Sequence, residues 1–338
     1  MTVARLRRVS CYEPGYSRER RGRGFRYVDA AGRPIDDEDT LARIRALAIP
    51  PAWADVWICR DPNGHLQAVG VDNKGRRQYL YHEAWRRRRD REKFNRMLHF
   101  AALLPDLRHH YRQALDGSDL NRDRVLAGAV ALIDLGLFRI GSPSYARDNG
   151  TFGVCTIERR HVRVASDRAV FAFPAKGGIK RRLEVTEPDV VRLLAELKGR
   201  RGTGPRLLSA PMGRGWHPVR PVEVNNFIKD GIGPDFSAKD FRTWTATVAA
   251  AVALADRHDG APPSPRVARS LVKSAMEEVA ETLGNTAAVA RRSYVDPRIV
   301  DRFVEGRTID EHIGPGALRD KADRAVVEDA VMQLLTED

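Results

Sequence analysis

The chain has 338 residues, 42% hydrophobic and 30% charged, enough for two domains with cores of their own. Its 58 Lys and Arg against 45 Asp and Glu give a net charge of +13, and no apolar run reaches membrane-spanning length. Three scattered cysteines (Cys11, Cys59, Cys155) without CxxC spacing argue against a disulfide framework or a cysteine zinc site, and Met1 to Arg8 lacks the apolar core of a secretory leader, so a reducing cytoplasm is expected.

The chain opens rich in arginine and glycine, without periodicity until Phe25-Arg26-Tyr27-Val28, which reads as a strand before the Ala31-Gly32 turn. Asp36 to Leu47 reads as a short helix, with acidic residues in its first turn, Leu41, Ile44 and Leu47 on one face, and Pro50-Pro51 to end it. Three strands follow. Val56 to Cys59 turns at Asn63-Gly64 into Leu66 to Val69, which turns at Asp72 to Gly75 into Arg77-Gln78-Tyr79-Leu80-Tyr81. In the last of these, period-2 alternation puts Arg77, Tyr79 and Tyr81 on one face, either as packed core or as the wall of a groove for a sugar-phosphate backbone.

The intensely charged run Arg86 to Arg91 marks the expected boundary between a β-rich domain over 1–88 and a larger, mainly helical domain over 89–338. Helices are predicted over Phe94 to Leu104, broken by Pro105, and over Leu107 to Leu115; Arg122 to Phe138 is apolar enough to be a buried helix. A β-rich insert follows, with strands at Thr151 to Thr156, His161 to Val164, Val170 to Phe173 and Leu183 to Val185, and a turn at Pro174 to Gly178. Pro188 to Leu197 is a helix, Arg200 to Pro218 a loop, and Pro221 to Lys229 a short helix. A longer helix starts near Ala238, another covers Arg266 to Leu283, and an amphipathic one covers Arg324 to Leu335. Between the last two, Gly284 stops a helix, Asn285 or Thr286 caps a two-turn helix, and Tyr294 closes it beside Arg291 and Arg292. The fold class is thus α+β.

Arginine clusters at Arg18–Arg26, Arg86–Arg91, Arg159–Arg163 and Lys180–Arg182, with tyrosines beside two of them, describe a surface that tracks phosphates. A tyrosine among guanidiniums adds chemistry, because a free phenol with a pKa of ~10 is a poor nucleophile unless cations favour its phenolate. Work on a phosphodiester also needs cations on the non-bridging oxygens and an acid for the departing oxygen. Arg139, directly after the buried helix, and Arg242, beside Phe241, sit close to apolar structure, where a lone cation is costly. Either they await an anion, or they make buried ion pairs, Asp134 with Arg139 and Asp240 with Arg242.

Taken together, Phe138-Arg139-Ile140-Gly141, Tyr145, Lys176 in a turn, Lys239-Asp240-Phe241-Arg242-Thr243, and Gly284-Asn285-Thr286 with Tyr294 nine positions after Asn285 resemble the type IB DNA topoisomerases of the compact poxvirus-like and bacterial branch. Gly75 to Tyr81 is similar to that branch's small DNA-clamping domain, and the likeness runs from about residue 20 to about residue 300. It implies the tyrosine recombinase/topoisomerase IB catalytic fold and relaxation of supercoiled duplex DNA through a 3′-phosphotyrosyl intermediate, with no ATP, metal or other cofactor. It assigns Tyr294 as nucleophile, Arg139 and Arg242 to the phosphate oxygens, and Lys176 as general acid, with Lys180 a rival four residues on. Poxvirus members carry a histidine where this chain has Asn285; bacterial members carry asparagine, which donates a hydrogen bond without a charge, though here it also serves as a candidate helix cap. Arg77, Gln78, Tyr79, Tyr81 and Tyr145 are the implied duplex contacts, and the implied working form is a nucleoid-associated monomer closing as a clamp. A tyrosine recombinase uses the same groups but shows His-x-x-Arg where Lys239 stands, and its N-terminal module is helical; a non-catalytic basic DNA-binding protein is the remaining alternative.

Overall fold

The computed structural model describes residues 5–136, 138–202, 204–314 and 323–337. The chain divides into two compact units, Met1–Asn95 and Arg96–Asp338.

The first unit is built on a five-stranded antiparallel sheet of order β2-β1-β3-β4-β5, from β1 (Tyr16–Arg21), β2 (Gly24–Val28), β3 (Ala54–Ile58), β4 (Leu66–Val71) and β5 (Arg77–Tyr81), with α1 (Glu38–Ala46) between β2 and β3. Its core gathers Ile44, Ile49, Val56, Ile58 and Ala68, with Leu80, Tyr27 and Trp53 packed against them. β1 corrects the expectation of an unstructured arginine-rich start. Its composition is polar because it contributes little to the core, and pairing with β2 and β3 holds it in the sheet. Arg18 on this strand is tied into the fold: its guanidinium donates to the carbonyls of Ile49 (3.1 Å), Pro50 (3.0 Å) and Trp53 (2.7 Å) and lies over the Phe25 ring.

Helix α2 runs unbroken over Glu83–Asp116 with Pro105 inside it, where two helices split at that proline were expected. Phe94, Met97, Phe100, Ala101, Leu104, Leu107, Tyr111 and Leu115 are all buried on one stripe spanning the proline, and this packing outweighs one lost backbone hydrogen bond. The Arg86–Arg91 run is helical too, with Arg87 paired to Glu83, and Arg88 and Arg89 to Glu92.

In the second unit α3 (Arg122–Asp134), capped by Asn121, is buried along almost its whole length. After α4 (Pro143–Asn149), residues Thr151 to Thr156 form no strand; a single 3-10 turn at Val154–Thr156 bonds back to the Arg139 segment. The insert is a three-stranded sheet of order β6-β7-β8, from β6 (Val162–Val164), β7 (Ala169–Pro174) and β8 (Lys180–Val185), followed by α5 (Pro188–Gly199). The expected loop from Arg200 to Pro218 contains a hairpin of β9 (Ser209–Met212) and β10 (Gly215–Pro218). Around these pack α6 (Pro221–Ile232), α7 (Ala238–Ala255), α8 (Pro265–Leu283), α9 (Ala287–Ser293), α10 (Pro297–Val304), α11 (Asp310–Ile313) and α12 (Arg324–Thr336). No helix among the described residues is long and apolar enough to cross a membrane.

Candidate active site

Segments far apart in sequence meet at the C-terminal end of α8. Phe138 is buried edge-on to Phe171 (ring centres 4.9 Å apart) and parallel to Phe173 (5.4 Å), both on β7, and this anchors the residue after it. The Arg139 carbonyl accepts from Val154 N at 2.8 Å, and the Ile140 carbonyl from Cys155 N at 2.8 Å. Only glycine permits so close a crossing: a Cβ on Gly153 would stand 2.5 Å from Arg139 O and 2.6 Å from Gly141 Cα, and Gly141 itself has φ +80°.

From this anchored backbone Arg139 Nη2 donates to Asn285 Oδ1 at 2.6 Å and to Gly284 O at 3.5 Å. Arg242, buried on the first turns of α7, donates through Nη2 to Leu283 O at 2.7 Å, and its guanidinium carbon lies 5.6 Å from the centre of the Tyr294 ring. A third guanidinium, that of Arg181 on β8, donates to Glu281 O at 2.8 Å and Thr282 O at 2.7 Å. The carbonyls of four successive residues, 281 to 284, thus face three arginines. Such carbonyls form the negative end of a helix, where cations settle; the Glu281 carbonyl also accepts from Gly284 N at 3.1 Å.

Tyr294 is half-buried at the C-cap of α9, and its carbonyl accepts from Thr247 Oγ1 of α7 at 3.3 Å. Burial opposes ionisation of its phenol, but hydrogen bonds from Arg139 and Arg242, together with their charges, outweigh burial and bring the pKa below its ordinary 10. Burial, and then the charge of Arg139, pushes the Arg242 guanidinium down to about 10.

Neither ion pair entertained from the sequence forms. Asp134 is held by Arg108, Arg324 and Tyr111, while Asp240 pairs with Arg96 at 2.6 Å and bonds back to Ser237. Among the described residues, Arg139 and Arg242 make no ion pair with a carboxylate. Asn285 does not cap α9; Thr286 does, accepting from Val289 N. With Asn285 Oδ1 engaged by Arg139, its Nδ2 is buried without a hydrogen-bond partner, as is Arg242 Nε. Buried donors left open between two cations describe a seat for an anion.

Lys176 stands in the 3-10 turn Lys176–Gly178 joining β7 to β8, and lines a small recess with Arg139, Arg181, Arg242 and Gly284. Lys180 is exposed and is not part of that lining. Arg291 and Arg292, expected beside the phenol, are exposed on α9; the guanidiniums that lower the Tyr294 pKa are those of Arg139 and Arg242. Tyr145 is exposed on α4.

In the first unit, the choice for Tyr79 and Tyr81 falls to the surface. They are 45% and 39% exposed with rings stacked 6.2 Å apart, whereas Leu80 turns to the core. Arg77 lies over the Tyr12 ring, and Gln78 is half-buried with Nε2 donating to Asp72 Oδ2 at 2.9 Å. Near the C-terminus Glu311, His312 and Glu337 bring ligand atoms within 4.8 Å of one another, but Arg307 is paired with both carboxylates.

Sequence reasoning counted Arg181 only within the Lys180–Arg182 phosphate-tracking cluster, not in the site, and passed over Gly153. The signal for Arg181 was present: in β8 it alternates in phase with the buried Leu183 and Val185, not with Lys180, Arg182 and Glu184, and an arginine in phase with core residues has an internal partner.

Comparison with known proteins adds a family. Residues 82–303 match the model described as the catalytic core of eukaryotic DNA topoisomerase I, and residues 24–72 match the N-terminal domain of bacterial DNA topoisomerase IB. The chain is 28% identical over 285 residues to DNA topoisomerase 1B of Acanthamoeba polyphaga mimivirus, covering 83% of this chain and 85% of that protein. It is 21% identical over 281 residues to DNA topoisomerase 1B of Vaccinia virus (strain Copenhagen), covering 81% and 85%. With DNA topoisomerase 1 of Mycosarcoma maydis it shares 27% identity over 224 residues, 59% of this chain and 22% of that protein.

Proposed function

Because the chain belongs to the type IB DNA topoisomerases, enzymes that change DNA topology, we propose that Tyr294 cuts one strand of a supercoiled duplex, holds it covalently, and reseals it after torsion has been released. The phenolic oxygen forms a bond to the scissile phosphorus as the bond from phosphorus to the 5′ oxygen breaks. The phenol gives up its proton to solvent, and Lys176 Nζ supplies one to the departing oxygen. The products are a 3′-phosphotyrosyl ester and a 5′-hydroxyl. One ester replaces another, so the reverse attack by the 5′-hydroxyl restores the strand without ATP.

Arg139 and Arg242 hold the non-bridging oxygens, where fixed guanidiniums match the charge of the transition state without a metal ion. Asn285 Nδ2 donates to one of the same oxygens. Exposed Tyr79 and Tyr81, with Arg77 and Tyr145, follow the sugar-phosphate backbone; Gln78 contributes chiefly by bracing the Asp72 turn. The working form is a monomer closing on nucleoid DNA as a clamp, with 1–88 and 89–338 as its two domains. One observation carries this reading: two cations without carboxylate partners and a buried open amide surround a phenol whose ionisation they favour.

The test is supercoiled plasmid in EDTA, without ATP. Relaxation through a ladder of single-turn steps is expected, and a denaturant quench should leave Tyr294 joined to a 3′ DNA end. Tyr294→Phe should give no relaxation while still retarding DNA; a Phe variant as fast as the parent sinks the assignment. Exchange between defined sites would instead mark a recombinase, against which stand Lys239 and the β-sheet of the first unit.

A further inference from the structure

Arg181 is absent from the roles given above, yet it makes the two hydrogen bonds that tie the β7–β8 hairpin to the end of α8. Antiparallel register sets Arg181 opposite Phe173, whose ring lies parallel to Phe138 beside Arg139. On the other side, five residues upstream, the hairpin tip carries Lys176 followed by Gly177 (φ +81°) and Gly178 (φ +76°). The tip is closed by Gly178 N donating to Ala175 O (2.9 Å) and Ala175 N to Ile179 O (2.8 Å), but its two glycines carry no side chain to pack it in place, and a lysine adds four rotatable bonds. The place of the Lys176 ammonium relative to the phosphate therefore depends on where the body of the hairpin is fastened. Arg181 fastens it to the turn that leads directly into Asn285 and α9.

We propose that Arg181 is a positioning residue for leaving-group protonation: it docks the Lys176 hairpin on the carbonyls of Glu281 and Thr282 and so holds Lys176 within reach of the departing 5′ oxygen. Two of its N–H donors, one on each terminal nitrogen, are given to backbone oxygens, and this is the docking contact the role requires. The inference rests on the reading of Lys176 as the general acid. It also explains why a cation sits half-buried close to Arg139, where repulsion between them works against it: a guanidinium can span two successive carbonyls from one strand.

A sulfur substitution separates this role from a merely structural one. A duplex in which sulfur replaces the bridging 5′ oxygen at a mapped cleavage site departs as a thiolate, which needs no proton. Single-turnover formation of the covalent adduct is measured on the oxygen and the sulfur substrate with full-length protein. Arg181→Ala is expected to slow cleavage of the oxygen substrate roughly 10- to 100-fold, the penalty of a misplaced catalytic group, and cleavage of the sulfur substrate by less than about 3-fold. Arg181→Lys, which reaches one carbonyl at a time, should fall between Ala and wild type, and supplies the same comparison should the alanine variant fail to fold. Equal losses on both substrates, or no loss on oxygen, overturn the inference. Lys176→Ala is run in parallel: if it stays slow on sulfur, the general-acid assignment falls and Arg181 with it; if Lys176→Ala is rescued by sulfur and Arg181→Ala is not, only the role of Arg181 falls.

Discussion

Asn285 shows how one amide serves two partners. Its oxygen orients Arg139 and its nitrogen stays open in a buried place, so it contributes a hydrogen bond but no charge. Asn285→Ala should lower the single-turnover cleavage rate by about tenfold, a smaller effect than the roughly 10²–10³-fold expected when Arg139 is replaced by alanine and a charged donor is lost. Asn285→Asp should be worse than Asn285→Ala, because a carboxylate at that point pairs with Arg139 and repels phosphate. If Ala and Asp cleave equally well, the nitrogen does not face the phosphate. The cations around Tyr294 also fix the pH profile. Cleavage per encounter should rise with pH along a limb centred below 10, where the phenol loses its proton. Arg242→Gln removes a positive charge from the phenol, so its rising limb should move to higher pH; an unmoved limb would separate Tyr294 from Arg242.

Among the elements, the crossing of the Arg139 segment with Gly153 is the most exacting. Gly153→Ala puts a methyl group 2.5 Å from a carbonyl oxygen that already accepts a hydrogen bond, so one backbone must move. We expect about 1–3 kcal/mol of lost stability by denaturant titration, and a larger proportional loss of cleavage, because the displaced backbone carries Arg139. Much of this scale was legible in the sequence. Apolar periodicity with caps located α1, α5, α8 and α9 within a few residues, and the Asn63-Gly64 turn located β3 and β4. What escaped had tertiary causes. β1 is polar because it lends the sheet backbone rather than side chains, and β9 with β10 hides among glycine and proline. Pro105 looks like a stop until the stripe packed on either side of it is known. In the site, the segments bearing Tyr294, Arg139, Lys176, Arg242 and Asn285 were visible as motifs, whereas their partners were not. Which carboxylate would claim which arginine depends on long-range contacts, and Asp134 and Asp240 both went to arginines distant in sequence.

Across the whole molecule, α12 is fastened to α2 and α3 by a buried cluster. Arg108 bonds Asp134 at 2.9 and 3.1 Å and Glu328 at 2.6 and 2.9 Å, Arg324 reaches both carboxylates, and the Tyr111 hydroxyl donates to Asp134. The two carboxylates hold the Arg108 guanidinium above its usual range although burial opposes its charge. Glu328→Ala leaves that cation half-compensated in a dry place, and should cost about 3–5 kcal/mol in chemical denaturation. Glu328→Gln, which still accepts a hydrogen bond, should cost less. Since the cluster ends α3 only five residues before Arg139, truncation of α12 should impair cleavage as well as folding, and a truncated protein with full activity would break that link.

The resting arrangement of the arginines bears on turnover. Arg139 and Arg242 already lean on oxygens of the polypeptide, Gly284 O, Asn285 Oδ1 and Leu283 O, when no DNA is present. An incoming phosphate then swaps one set of acceptors for another, and little side-chain entropy remains to be surrendered on arrival. Departure is equally undemanding, since the same oxygens take the guanidiniums back once the strand is whole. An enzyme that must let go of a mended duplex after every cycle is served by a grip whose open hand keeps the shape of its closed one.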